Sequence, residues 1–123
     1  MLYAILCYDY EDVVGSWPKE QEELVMTRLM AVQDKLAKAG RLGPVARLLP
    51  TTAATTVRKG ADPLVIDGPF AETKEQLLGF YVVECADLEE AIETAKELGR
   101  AHGGEGVHEV RPLGLYIPGG GVA

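Results

Sequence analysis

The sequence predicts an α+β fold in which two amphipathic helices lie on one face of an antiparallel sheet. Three observations predict it: four short segments have strand composition, two longer ones repeat apolar residues at helical spacing, and the two kinds alternate in one order. That order is strand, helix, strand, inserted hairpin, strand, helix, strand.

Leu2 to Tyr8 is apolar at odd and even positions and too brief for a helix before the acidic turn Asp9 to Asp12, so it is expected to be a strand buried on both faces. Pro18 suits a first helical turn, Glu20, Glu22 and Glu23 complement its positive end, and Val25, Leu29, Val32 and Leu36 form a stripe. Gly40 closes this helix, which is expected over about 18–39. Leu42 to Leu49 is the second strand, ended by Pro50. Thr55 to Arg58 and Leu64 to Ile66, joined through Gly60 and Asp62, form a hairpin. In the following turn Pro69 keeps Gly68 extended, and the Asp67 carboxylate is placed to cap backbone amides. Thr73 and Gln76 have capping-box spacing, which predicts a single helical turn before Gly79. Gly79 to Cys85 is the most strand-like stretch. Asp87 with Glu90 starts the second helix, whose stripe Leu88, Ala91, Ile92, Ala95 and Leu98 reaches about residue 101. Val107 to Pro112 is a final strand at a sheet edge, since Pro112 cannot donate to a ladder.

This is the order of a ferredoxin-like split βαβ sandwich with an inserted β-hairpin. One sheet face is left without helices, yet the central strands are apolar on both faces. A second copy is the expected cover, giving a homodimer through the sheet face. The first strand and the strand after the hairpin are antiparallel neighbours, which puts Cys7 and Cys85 too far apart for a disulfide and makes both buried, inert thiols.

A length of 123 residues suits a single domain, with 114–123 expected as a loosely ordered tail. The 12 Lys and Arg against 19 Asp and Glu give a net charge of −7 and no basic run, which argues against nucleic acid as partner. No apolar segment approaches the roughly 18 to 20 residues that span a bilayer. The first basic residue is Lys19, which does not fit a secretory signal, so no membrane association is expected and the cytoplasm is the expected location. Gly103-Gly104-Glu105-Gly106 follows a helix instead of preceding one, so it is no phosphate cradle, and no metal-ligand spacing occurs. No cofactor is expected.

Val65-Ile66-Asp67-Gly68-Pro69-Phe70-Ala71-Glu72-Thr73-Lys74-Glu75, followed by Gly79-Phe80-Tyr81, resembles the signature of the DGPF group of YCII-related proteins. Ala54-Thr55-Thr56-Val57-Arg58, Asp87-Leu88-Glu89-Glu90-Ala91 and Glu109-Val110-Arg111-Pro112 extend the likeness over nearly the whole chain. The resemblance implies a dimeric α/β-barrel of ferredoxin-like units. It also implies acid/base chemistry by a His with an Asp in a cleft. Some members occur beside or fused to extracytoplasmic-function sigma factors, which makes a sigma factor a second expected partner. Asp67 matches the Asp of the motif, and the only histidines are His102 and His108.

The expected site therefore centres on Asp67 as general base or orienter of a His, with the capping of its own turn as the structural alternative. His108 alternates with Val110 and is the catalytic partner, or else a core histidine. His102 suits the dipole at a helix end. Arg58, Tyr81 and Glu84 are the expected substrate-binding residues: a guanidinium for a planar anion, a hydroxyl able to line a pocket, and a carboxylate within an apolar strand. Two functions are expected: a small-molecule enzyme or binder, and, as the resemblance implies, a non-catalytic interaction protein associated with a sigma factor.

Overall fold

In a computed structural model, which describes residues 1–121, the chain opens with β1 (Leu2–Asp9). Side chains alternate across a strand, and here Tyr3 and Ile5 are buried while Leu2, Ala4 and Leu6 on the opposite face are half-buried. A single turn, α1 (Glu11–Gly15), follows where an acidic turn was expected; Glu11 and Asp12 sit in its first turn and complement its positive end. Then come α2 (Lys19–Lys38), β2 (Leu42–Arg47), a 3-10 turn at Thr51–Ala53, the hairpin β3 (Thr55–Arg58) and β4 (Leu64–Asp67), β5 (Gln76–Glu84), α3 (Leu88–His102) and β6 (Val107–Pro112).

The main sheet is antiparallel, in the order β2-β5-β1-β6, and β3-β4 forms a separate two-stranded sheet. The order agrees with the split βαβ reading. Helices α2 and α3 pack against each other, and the core they help enclose contains Tyr3, Ile5, Leu36, Tyr81, Val83, Cys85 and Leu98. Cys7 and Cys85 are free. Cys7 is level with Gly79, whereas Cys85 lies just beyond Glu84, the partner of Leu2 at the far end of the ladder.

Asp87 caps α3 as its spacing predicted: its Oδ1 accepts the Glu90 amide at 2.9 Å, and Glu90 Oε1 accepts the Ala86 amide at 3.0 Å. The helical turn expected after Thr73 is absent. Gln76 instead opens β5, its Oε1 accepting the Glu11 amide at 3.0 Å and its Nε2 donating to the Thr73 carbonyl at 2.7 Å. The main sheet is open at both edges, so the described residues form no closed barrel. Of the tail, 114–121 has no regular secondary structure, and 122–123 lies outside the described residues.

Candidate functional site

Asp9 continues the alternation Tyr3, Ile5, Cys7 and so turns its carboxylate toward the helices, where it is 4% exposed. A buried carboxylate is costly unless hydrogen-bonded. Its Oδ1 accepts the Tyr10 amide at 2.7 Å, and its Oδ2 lies 3.9 Å from Nδ1 of His102 at the end of α3. The loop after α3 wraps this carboxylate. A Cβ at Gly104 would stand 2.8 Å from Asp9 Oδ2, and one at Gly106 would collide with the Tyr8 carbonyl oxygen. Gly104 also has φ +83°, where an L side chain is strained. The glycine run thus lets the loop close on an acid.

His108 projects from β6 onto the same face, since it is level with Cys7. Its Nδ1 lies 3.1 Å from the Ala95 carbonyl oxygen. A carbonyl can only accept, so Nδ1 carries the proton and Nε2 keeps its lone pair. Burial pushes the His108 pKa below the ordinary value; the Ala95 carbonyl raises it, His102 lowers it and Asp9 raises it, in falling order of size. The His102 ring lies 5.2 Å from the Trp17 ring, and its Nδ1 is 2.9 Å from the Gly103 carbonyl oxygen.

Asp9, His102, His108 and Trp17 line one cleft of about 1270 Å³. Val25, Met26, Leu29 and Leu78 line it as well, together with Glu11, Arg47 and Pro50. Small-molecule sites are concave and mainly apolar with few polar groups, and usually occupy roughly 300–1,000 Å³. Cys7 also lines the cleft, but burial pushes its thiol up to about 12, which leaves it protonated and unreactive near neutral pH. Among the described residues no group of three or more His, Cys, Asp or Glu is placed to hold a metal ion.

Of the residues the sequence singled out, His108 and Tyr81 line this cleft. Tyr81 is 8% exposed, and burial raises its hydroxyl pKa. Asp67 does not line it. It is exposed at the end of β4, opposite Thr55, on the separate sheet. Arg58 is exposed at the other end of that hairpin, opposite Leu64. Glu84 is exposed and bonded to the Met1 amino nitrogen at 2.6 Å. The fold therefore does not bring Asp67 and His108 to one cavity; the carboxylate near His108 is Asp9. Asp9 belongs to the acidic turn expected from the sequence, yet alternation from Ile5 puts it at a core-facing position, a signal already present in the sequence. Trp17 had no such signal.

Fold and site together define a small α+β protein whose cleft joins an acid and two imidazoles. The YCII-related domain model matches residues 1–113, and the chain belongs to that family. It is also similar to an uncharacterised protein of Rhizobium meliloti (strain 1021), 59% identical over 120 residues that make up 97% of each chain.

Proposed function

We propose that the cleft binds a small molecule and moves a proton on it, with His108 as general base through Nε2 and Asp9 favouring the positive charge that develops on the His108 imidazole. The observation that carries this is the convergence of a buried carboxylate, a neutral imidazole with its tautomer fixed, and apolar walls on one cleft. Proton transfer by a positioned side chain contributes typically about 10²–10⁴-fold. The test is incorporation of solvent deuterium into a panel of weak carbon acids, ketones and phenols, followed by NMR. The wild-type chain is expected to exchange at least one class, and His108→Gln and Asp9→Asn to slow it about 100-fold or more. Exchange that survives both substitutions contradicts the reading.

The same reading makes the active form a homodimer, the dimeric α/β-barrel of the DGPF group. Support comes from the hairpin, which makes a separate sheet with exposed Val57, Leu64 and Val65, and from Phe70 beside it at 83% exposure. In this arrangement the Asp67 turn belongs to the subunit contact, and Arg58 lies beside it. An extracytoplasmic-function sigma factor is the alternative occupant of that surface. A mass of twice 13.3 kDa for the purified chain supports the homodimer. A monomer that gains mass only with the sigma factor supports the alternative.

A further inference from the structure

The ladder registers place Arg47 of β2 level with Gly79 of β5, Gly79 level with Cys7 of β1, and Cys7 level with His108 of β6. Residues directly opposite in an antiparallel pair share a face. Arg47 and His108 therefore stand at the two ends of one cross-strand row on the helix-covered side, three strand spacings or roughly 14 Å apart at their Cα atoms. Between them the row is nearly empty: Gly79 has no side chain, and a Cβ there would collide with the Ala46 carbonyl oxygen, while Cys7 is small. The next row, Val45, Tyr81, Ile5 and Val110, has an apolar or aromatic side chain at every position. The cleft floor is thus a lane with an imidazole at one end and a guanidinium at the other.

Arg47 lines the cleft and, among the described residues, has no ion-pair partner. Of the carboxylates of the cleft, Asp9 lies with His102, Glu11 accepts from the Thr51 amide and hydroxyl, and Glu22 sits in the first turn of α2, which packs against β2, without an ion pair to Arg47 among the described residues. Two other cations line the cleft, Lys96, which pairs with Glu93, and Arg100; both belong to α3, which packs against β6.

We propose that Arg47 is an anion subsite, and that the ligand of the cleft is a small, mainly apolar carboxylic acid whose carboxylate meets Arg47 while its other end reaches His108 and Asp9. This rests on reading the cleft as a ligand site. A guanidinium pairs with a carboxylate through two parallel hydrogen bonds, and the apolar row alongside favours a hydrocarbon body. An acid of this kind would lie with its carboxylate away from the buried Asp9, avoiding like-charge contact.

Trp17 is the single tryptophan of the chain and lines the cleft, so its fluorescence reports occupancy. Phenylacetate and its neutral isostere phenylacetamide are titrated into the wild-type chain, Arg47→Met and Arg100→Met. Phenylacetate is expected to bind the wild type at least tenfold more tightly than the amide. Arg47→Met is expected to abolish that preference with its thermal midpoint unchanged, and Arg100→Met to retain it. Equal binding of acid and amide, no response to either, or a preference that survives Arg47→Met overturns the subsite. Asp9→Asn separates the two readings: it is expected to slow deuterium exchange about 100-fold or more while leaving the preference of acid over amide intact.

Discussion

At the scale of single residues, the site depends on a carboxylate and an imidazole removed from water in different ways. Asp9 is buried with an amide and an imidazole beside it, whereas His108 is held neutral by burial and oriented by one carbonyl. Because its folded pKa is lowered, His108 favours folding fully above its unfolded value near 6.5, and that contribution is lost as pH falls through the folded value. An NMR titration of the His108 ring should therefore give a midpoint below about 6.5, and His108→Gln should reduce the loss of stability on acidification. Gly106 is a second test. An alanine there drives its Cβ into the Tyr8 carbonyl oxygen, so Gly106→Ala should cost about 1–3 kcal/mol or more in urea unfolding. The sequence displayed half of this site. His108 alternates with Val110, and the ladder sets it level with Cys7 on the helix-covered side. Asp9 obeyed the same rule from Ile5, but its acidic neighbours disguised it as turn. Asp67 drew attention through its motif, and only the ladder shows that it sits on a different sheet.

At the scale of elements, one sequence pattern met two fates. Asp87 with Glu90 and Thr73 with Gln76 both have cap spacing, yet only the first begins a helix. The difference lies downstream: Ala91, Ala95 and Leu98 give α3 a face to bury, whereas the residues after Gln76 pair with β1 and its side chain is taken by the Glu11 amide. A local signal yields to the ladder where no amphipathic stripe supports it. Asp87→Ala is expected to cost about 1 kcal/mol of stability, and Thr73→Ala to stay within about 0.5 kcal/mol, both read from chemical denaturation. The four main strands, both long helices and the hairpin were legible from apolar or β-branched composition, or from helical spacing, between Gly, Pro or Asp punctuation. Helix α1 was not, since five residues are too few to show a period.

At the scale of the whole molecule, the two sheet faces differ. The helices bury one, while on the other Leu2, Ala4, Leu6 and Phe80 remain half-buried, and the hairpin forms a separate sheet with exposed apolar residues. A chain with 47% apolar residues and a net charge of −7 has more hydrophobic surface than this one core consumes. The proposed homodimer predicts that replacing Val65 by Lys on the hairpin halves the mass seen by light scattering at micromolar concentration and leaves far-UV circular dichroism intact. An unchanged mass would remove the hairpin from the subunit contact.

The most direct test of the proposed proton transfer in the cleft is the pH dependence of deuterium exchange by the wild-type chain. A general base acts in its neutral form, and burial lowers the pKa of His108. The exchange rate should therefore rise with pH along a single step whose midpoint lies below about 6.5, then stay level through neutrality. A rate that ignores pH across that range, or a midpoint above it, would contradict the assignment of His108 as the base.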